Sequence, residues 1–196
     1  MSPERLDLRL HAIAFETAAV RLLDLRDADG RALPAFQPGA HVDVRLNGHL
    51  TRSYSLVGDP ADAGRYLLGV QRDPQSRGGS QHLCEAARVG DLIEVSHPIN
   101  RFPLIEDAAA SVFIAGGIGI TPILSMIRSF GELPPAPWKL YYLTRSPETT
   151  AFLEELKDPA LRRNVVVHHD QGDPANAYDL WPALEKPNSG HVFCCG

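Results

Sequence analysis

Short stretches in which apolar and polar residues alternate fill the first half of the chain. One of them, His41–Leu46 with the sequence HVDVRL, places Val42, Val44 and Leu46 on one face, as expected of a half-buried strand. Turn-forming pairs such as Gly90-Asp91 separate the stretches. The predicted elements are strands at residues 6–10, 20–25, 41–46, 52–57, 66–71 and 92–96, with one helix at 81–87. Strands at this spacing predict a small antiparallel β-barrel.

After residue 108 the pattern changes to apolar strands that alternate with helices. The predicted strands are residues 111–115, 139–143, 165–168 and 191–195, and the predicted helices are 122–130, 148–156 and 178–184. This alternation is typical of an α/β domain with a parallel sheet. The change predicts two domains, residues 1–105 and 106–196. Because Gly196 directly follows a strand that a helix would normally cover, the second domain is expected to be cut short at its C-terminal end.

Composition and charge exclude several classes of protein. With 196 residues, 44% hydrophobic and 22% charged, the chain has the composition of a folded protein, and its longest apolar run is too short to span a membrane. A net charge of -5 argues against a nucleic-acid partner. Three cysteines form no disulfide framework, and the first residues show no signal peptide. We therefore expect a cytoplasmic protein.

A glycine-rich segment, residues 115–122 with the sequence AGGIGITP, joins a predicted strand to a predicted helix. Thr121 is predicted as the N-cap of that helix and Pro122 as its first residue. Glycines let the backbone approach a pyrophosphate, whose charge the helix N-terminus attracts. The spacing differs from G-x-G-x-x-G, so a turn that merely links strand to helix is the alternative.

Residues 52–55, with the sequence RSYS, lie in a predicted barrel strand. Alternation places Arg52 and Tyr54 on one face and Ser53 and Ser55 on the other. A guanidinium there could bind a phosphate, and the ring could lie beside a flat heterocycle. An ordinary exposed arginine on a barrel strand is the alternative.

A second candidate anion site is residues 72–80, with the sequence RDPQSRGGS. Ser80 is predicted as the N-cap of the following helix, and Gly78 and Gly79 can expose their amides. Arg72 and Arg77 supply positive charge. Two candidate phosphate sites in one acidic protein favour a ligand-binding function over coincidence.

A pair of neighbouring cysteines and a pair of neighbouring histidines lie at the ends of two predicted strands and are candidate ligand-contacting or metal-binding residues. Cys194 and Cys195 end the last strand, at the edge where α/β sheets bind ligands. Because adjacent strand residues face opposite ways, one thiol is expected to face a ligand and the other to lie in the core. For the same reason His168 and His169 point apart, and no metal site is predicted.

Taken in order, these motifs resemble the ferredoxin-NADP reductase superfamily: an R-x-Y-S strand, a G-G-S helix start, a G-G-I-G-I-T-P loop and a C-G strand end. Within it, the chain resembles the phthalate dioxygenase reductase and vanillate demethylase reductase group. The likeness extends through Arg72-Asp73, residues 141–145 (YYLTR) and residues 168–170 (HHD). In that family the barrel binds FMN and the second domain binds NADH. A ferredoxin domain with a [2Fe-2S] cluster passes electrons to a Rieske-type oxygenase.

The resemblance implies a role for each matching residue. The residues that would bind FMN are Arg52, Ser53, Tyr54, Ser55, Val70, Gln71, Arg72, Gly78, Gly79, Ser80 and Thr121. Those that would bind NAD are Gly116, Gly117, Gly119, Pro122, Arg145, Cys195 and Gly196. Of these residues, Ser55, Thr121 and Cys195 are the expected catalytic ones. FMN suits the barrel because its phosphate would end at the G-G-S helix start.

The chain departs from the family pattern in three places. Gln71 stands where some relatives carry lysine, and Ser146 follows Arg145 where relatives can have an acidic residue. The third departure is at the end of the printed sequence, Gly196: the aromatic residue near the flavin and the ferredoxin domain's four cysteines have no match in it and are expected to lie outside this chain. Three cysteines at these spacings cannot ligate a [2Fe-2S] cluster, so that cofactor is expected only in a domain this chain lacks.

The function implied by the resemblance is that of an NADH-dependent flavin oxidoreductase in aromatic compound catabolism. It would be the reductase component of a Rieske-type oxygenase or demethylase system, with an iron-sulfur domain or ferredoxin and the oxygenase as partners. Two alternatives stay open. One is a stand-alone NADH:flavin oxidoreductase, and the other is a non-catalytic flavin-binding module.

Overall fold

The chain forms two units in the computed structural model, which describes residues 5–46, 48, 50–76, 78–131, 134–185 and 190–196. The first unit contains the residues up to Leu104 together with Thr121–Ser129. The second contains Ile105–Ile120 and Phe130–Gly196. Among the described helices, none has the length and apolar character needed to cross a membrane.

The first unit is built on a nearly closed antiparallel sheet. Its six strands are β1 Arg5–Phe15, β2 Val20–Asp27, β3 His41–Leu46, β4 Leu50–Ser55, β5 Tyr66–Gln71 and β6 Leu92–Ser96, in the order β4-β3-β6-β1-β2-β5. A bridge between Leu56, which directly follows β4, and Leu68, which lies within β5, links the two edge strands. This closure buries inward-facing positions of five strands, whereas the residues of β4 that face the same side stay half-buried.

The core of the first unit lies inside this barrel. Leu8, Val42 and Leu68 are fully buried, on three different strands. Tyr66 is also buried, and its hydroxyl donates a hydrogen bond to the Pro34 carbonyl at 2.5 Å. Between β5 and β6 the chain forms α1, Gly79–Gln81, which continues as the π-helical turn His82–Ala86.

Helix α2, Ile120–Ser129, packs on the segment that follows β4. The Ser125 hydroxyl donates to the Gly58 carbonyl at 3.0 Å, and the Arg128 guanidinium donates to the Val57 carbonyl. These bonds fix the helix to the first unit.

The second unit is a parallel sheet in the order β10-β7-β8-β9. Its strands are β7 Ser111–Gly116, β8 Trp138–Thr144, β9 Val165–His169 and β10 His191–Cys195. Aromatic side chains form much of its core: the rings of Phe113 and Phe193 stack 5.2 Å apart, and Trp138 lies edge-on to Phe113. The short helices α3 Leu153–Leu156, α4 Pro159–Arg162 and α5 Trp181–Leu184 follow, with 3₁₀ turns at Gly117–Gly119, Pro147–Thr149 and Pro174–Asn176.

The predicted fold class, an antiparallel barrel and a separate parallel sheet, is confirmed. Several predicted bounds are wrong. The first strand runs on to Phe15 because it pairs along its length with β2, and the strand predicted at 52–57 is β4, Leu50–Ser55. The helix predicted at 122–130 begins at Ile120, and the one predicted at 81–87 begins at Gly79.

Two predicted helices of the second half are shorter than expected. The helix predicted at 148–156 is broken, because Phe152 adopts a left-handed conformation with φ 60° between a 3₁₀ turn and α3. The helix predicted at 178–184 is only α5. The Asp179 carboxylate accepts a hydrogen bond from the Trp181 amide at 2.9 Å, which starts that helix late.

Candidate functional site

Arg52 of β4 lies against Gly79 at the start of α1. A Cβ at Gly79 would be 2.8 Å from Arg52 Cγ and 3.5 Å from Nε, so any side chain there would displace the arginine. Gly78 has φ 102°, which favours glycine, and has open space where its Cβ would be. The two motifs singled out in the first half of the chain therefore meet at one place on the barrel.

Ser80 lies in the first turn of α1, and the prediction that it is the N-cap is wrong. The left-handed Gly78 turns the chain earlier and takes the cap position. The Ser80 hydroxyl instead accepts a hydrogen bond from the Asp73 amide at 3.2 Å, which leaves its own hydrogen free to donate. The amides of Gly79, Ser80 and Gln81 donate to none of the described residues. Arg77, the other predicted cation, lies outside the described residues.

Tyr54 is half-buried beside Arg52, and its ring packs against the barrel core. Burial raises the pKa of Tyr54 to about 12, with the neighbouring Cys84 adding to this and Arg52 opposing it. The phenol is therefore neutral at physiological pH. Its hydroxyl makes no hydrogen bond to a described residue. A flat aromatic face next to a guanidinium suits a ligand with a planar ring and an anionic tail.

Cys84, which sequence reasoning did not single out, belongs to the same cluster. Its thiol donates to the Val70 carbonyl at 3.6 Å, and burial raises its pKa. Cys84 follows Ser80 by one helical turn, and that spacing is the sequence signal that could have placed it near Tyr54.

The other predicted residues of β4 and β5 occupy different faces. The Ser53 hydroxyl donates to Asp43 Oδ1 at 2.5 Å on the face opposite Arg52, so only its backbone is available on the Arg52 side. Ser55 ends β4 half-buried. Val70 is buried and Gln71 is exposed.

Arg72 follows β5 directly and has a carboxylate partner. Its guanidinium forms an ion pair with Glu85, whose other oxygen accepts from the Gln81 amide group at 3.1 Å. The hydrogen bond from Arg72 holds the pKa of Glu85 below its usual value. The positive charge predicted for this site is thus partly neutralised at Arg72.

In the second unit, the 116–119 loop lies against the end of β10. A Cβ at Gly119 would overlap the Cys195 carbonyl and lie 2.7 Å from the Gly196 nitrogen, and one at Gly116 would lie 3.2 Å from Gly196 Cα. Gly117, with φ 48°, faces open space. Two of the three glycines are therefore needed for packing, and only Gly117 leaves room for a ligand.

Thr121 and Pro122 are buried inside the first turn of α2. The prediction of Thr121 as N-cap and Pro122 as first residue is wrong, because the 3₁₀ turn Gly117–Gly119 leads directly into a helix that starts at Ile120. A proline at this position costs no helix hydrogen bond, since the first four amides of a helix have no internal partner.

Arg145 is exposed immediately after β8, at the carboxyl end of the parallel sheet. The next residue, Ser146, donates a side-chain hydrogen bond to Glu148, which lowers the pKa of that carboxyl group. A carboxylate therefore lies within hydrogen-bonding distance of Ser146, which is not itself acidic.

Cys195 is half-buried and Cys194 is exposed. The expectation that one of the two lies in the core is wrong, because the outward face of β10 is uncovered among the described residues, leaving Val192 53% exposed. Burial raises the pKa of the Cys195 thiol, with Cys194 adding to the effect. Cys195 therefore stays protonated at neutral pH and is not a thiolate nucleophile.

The two histidines of β9 form hydrogen bonds with different partners. The Nδ1 atom of His169 hydrogen-bonds to the Thr144 hydroxyl at 2.8 Å, and His168 Nε2 to the Asn176 carbonyl at 2.6 Å. In the part of the chain that the structure describes, no group of three or more His, Cys, Asp or Glu residues could hold a metal ion.

Replacing Gly119 by alanine is expected to destabilise the second unit, since the new methyl group would overlap the Cys195 carbonyl. Overpacking of this kind costs about 1–3 kcal/mol. Thermal unfolding should show a midpoint several degrees lower. The control is Gly58→Ala, whose methyl group would make an ordinary 3.6 Å contact with Leu67. Equal stability of the two variants would contradict the packing described here.

The three thiols are expected to react with iodoacetamide at different rates near neutral pH. Cys194 should react first because it is exposed, whereas burial raises the pKa of Cys84 and Cys195 and lowers their thiolate fraction. Raising the pH should narrow the difference, since more thiolate forms at the two half-buried sites. Mass spectrometry of peptides over time measures this. Labelling of Cys195 as fast as Cys194 at neutral pH would contradict it.

Comparison with known proteins adds to this geometry. No family model matches the chain. It is 49% identical over 174 residues to the phthalate 4,5-dioxygenase oxygenase reductase subunit of Pseudomonas putida, covering 88% of this chain and 54% of that protein. It is 41% identical over 184 residues to the vanillate O-demethylase oxidoreductase of Pseudomonas putida, covering 93% and 55%.

A solved structure of phthalate dioxygenase reductase matches with a TM-score of 0.93 and 40% identity, covering 97% of this chain and 60% of that one. Its title describes a modular structure for electron transfer from pyridine nucleotides to [2Fe-2S]. The chain thus spans about half the length of the curated relatives it matches. On these similarities, the chain is related over nearly its whole length to part of the phthalate dioxygenase reductases and vanillate O-demethylase oxidoreductases.

Proposed function

We propose that this chain is the flavin- and nicotinamide-binding part of an electron-transfer reductase. It takes hydride from NADH onto FMN and passes single electrons to an iron-sulfur acceptor. The observation that carries the proposal is the approach of Arg52, on the same face of β4 as Tyr54, to Gly79 in the G-G-S helix start. The relatives' names support it, since they are reductases of phthalate and vanillate oxygenase systems.

The barrel residues fit FMN in both of its parts. The amides of Gly79, Ser80 and Gln81, the Ser80 hydroxyl and the Arg52 guanidinium are donors suited to a phosphate. The half-buried Tyr54 ring suits a planar heterocycle. The proposed FMN residues are Arg52, Ser53, Tyr54, Ser55, Val70, Gln71, Arg72, Gly78, Gly79, Ser80 and Thr121.

The second unit is proposed to bind NADH at the carboxyl edge of its parallel sheet, where open α/β sheets bind nucleotides. Gly117 offers a left-handed backbone with open space beside it, which suits the approach of a pyrophosphate. The proposed residues are Gly116, Gly117, Gly119, Pro122, Arg145, Cys195 and Gly196. The proposed FMN and NAD domains are residues 1–105 and 106–196.

When bound, FMN and NADH supply the redox chemistry, a two-electron hydride transfer followed by release of single electrons. The protein's residues bind, orient and exclude water. Ser55, Thr121 and Cys195 are proposed as catalytic residues that border the reacting rings. A protonated Cys195 offers a neutral, polarisable side chain beside a nicotinamide, and its raised pKa keeps it in that form.

We propose that the electron acceptor is a ferredoxin or iron-sulfur domain that serves a Rieske-type oxygenase acting on an aromatic compound. The [2Fe-2S] cluster belongs to that acceptor. A cytoplasmic location fits the three cysteines, all of which are free thiols in the structure.

An absorbance spectrum tests the proposed function. The purified chain, mixed with FMN and freed of excess by gel filtration, should be yellow, and anaerobic NADH should bleach it. A colourless protein would contradict flavin binding. A yellow protein that NADH does not bleach would instead be a flavin-binding module without this activity. Loss of flavin during dialysis would favour a stand-alone NADH:flavin oxidoreductase.

Arg52→Ala and Ser80→Ala are each expected to weaken FMN binding about ten-fold or more, since each removes a donor suited to the phosphate. Fluorescence titration of the apoprotein with FMN measures the dissociation constant. The matched control is Arg45→Ala, an exposed arginine of β3 whose guanidinium bonds to Glu94 and the Gly48 carbonyl. Unchanged FMN affinity in both site variants would remove the proposed phosphate site.

A further inference from the structure

An ion pair between Arg72 and Glu85 joins the two ends of the segment that contains Gly78, Gly79 and Ser80. Arg72 leaves the end of β5, and its backbone amide is fixed to the Ala19 carbonyl at 2.7 Å. Its guanidinium Nε donates to Glu85 Oε1, while Gln81 donates to Glu85 Oε2 at 3.1 Å. Both oxygens of the carboxylate are therefore bonded, one on each side of the segment.

Further hydrogen bonds form within the segment between Arg72 and Glu85. The Asp73 amide donates to the Ser80 hydroxyl at 3.2 Å, and the Gln75 amide donates to Asp73 Oδ1 at 2.8 Å. On the far side, the Ala87 amide donates to the His82 carbonyl at 3.0 Å, which completes the π-helical turn that carries Glu85. Ser80 is thus bonded to the residue that directly follows Arg72, and Arg72 in turn is paired with Glu85.

The two arginines near this segment are in different electrostatic situations. Arg72 is paired with a carboxylate, so its net contribution to the local charge is small. The side chain of Arg52 bonds only to the Thr51 carbonyl among the described residues, at 2.8 Å. Arg52 therefore keeps an uncompensated positive charge against Gly79, where an anion could meet it.

We propose that the part Arg72 plays in FMN binding is an indirect one: Arg72 and Glu85 are positioning residues, whose ion pair holds Ser80 and its neighbouring amides in place for the phosphate of FMN. Among the described arginines near the segment, Arg52 provides the charge that no carboxylate pairs. This inference rests on the proposed function. The side chains of Arg72 and Glu85 are each 43% exposed, and exposed pairs add little to fold stability, so their removal should act on binding rather than on folding.

The test measures dissociation constants for FMN and for riboflavin, which lacks the phosphate. Wild type is compared with Glu85→Gln, Arg72→Gln and the double variant. Each single change should weaken FMN binding about three- to ten-fold, and the double change should be no worse, because both remove one interaction. Riboflavin binding should stay unchanged. The control is Glu94→Gln, a carboxylate that bridges Arg5 and Arg45 elsewhere on the barrel and should leave FMN affinity as it is.

Four results would overturn the inference. Tighter FMN binding by Glu85→Gln would show that a released Arg72 contacts the phosphate itself. Unchanged FMN affinity in both single variants would show that the pair does not position the site. An equal loss of FMN and riboflavin affinity would show general loosening of the barrel. A wild type that binds neither flavin would reject the proposed function and this inference together, which separates that failure from the other three.

Discussion

The close approach of Arg52 to Gly79 is the constraint on which the proposed flavin site depends. A strand that ends the barrel sheet and a turn that starts a short helix can touch only because position 79 lacks a side chain. The contact brings a guanidinium to backbone amides that donate to none of the residues the structure describes. It also leaves Tyr54 on the same face of β4, so that one small area combines positive charge, amide donors and an aromatic ring.

Glycines serve different physical purposes in the two units. Gly78 turns the chain through a left-handed conformation, and Gly79 makes space for an arginine. In the second unit, Gly116 and Gly119 make space for the end of β10, while Gly117 alone combines a positive φ with open surroundings. A motif match alone would explain all of these glycines by the same ligand-binding role. In the structure, Gly116 and Gly119 are required by packing against the end of β10, and Gly117 is the glycine of this loop that has open space beside it.

Much of the fold could be predicted from the sequence, because the periodicity of side chains follows directly from which face is buried. The bounds of β3, β5, β6 and β10 match the prediction. The ends of the helices were harder to predict than the bounds of these strands. The caps predicted at Ser80 and Thr121 are wrong because single glycine conformations and a 3₁₀ turn, which leave no periodic signal, decide where each helix begins.

Contacts between residues that are distant in the sequence were the other feature that could not be predicted. The pairing of Arg72 with Glu85 and the place of Cys84 beside Tyr54 depend on how the π-helical turn folds back, and spacing alone does not show it. The break at Phe152 and the short helix α4 were missed for a similar reason, since each depends on a single local conformation or cap. The residue types of the site were therefore predictable, whereas their pairing was not.

The central claim is that the contact between Arg52 and Gly79 forms the phosphate end of a flavin site. Calorimetric titration of Gly79→Ala with FMN and with riboflavin tests it most directly, because the added methyl group would displace Arg52 without removing any charge. The account predicts that FMN binding weakens at least ten-fold while riboflavin binding changes little. Unaltered FMN affinity in a folded Gly79→Ala protein would contradict it.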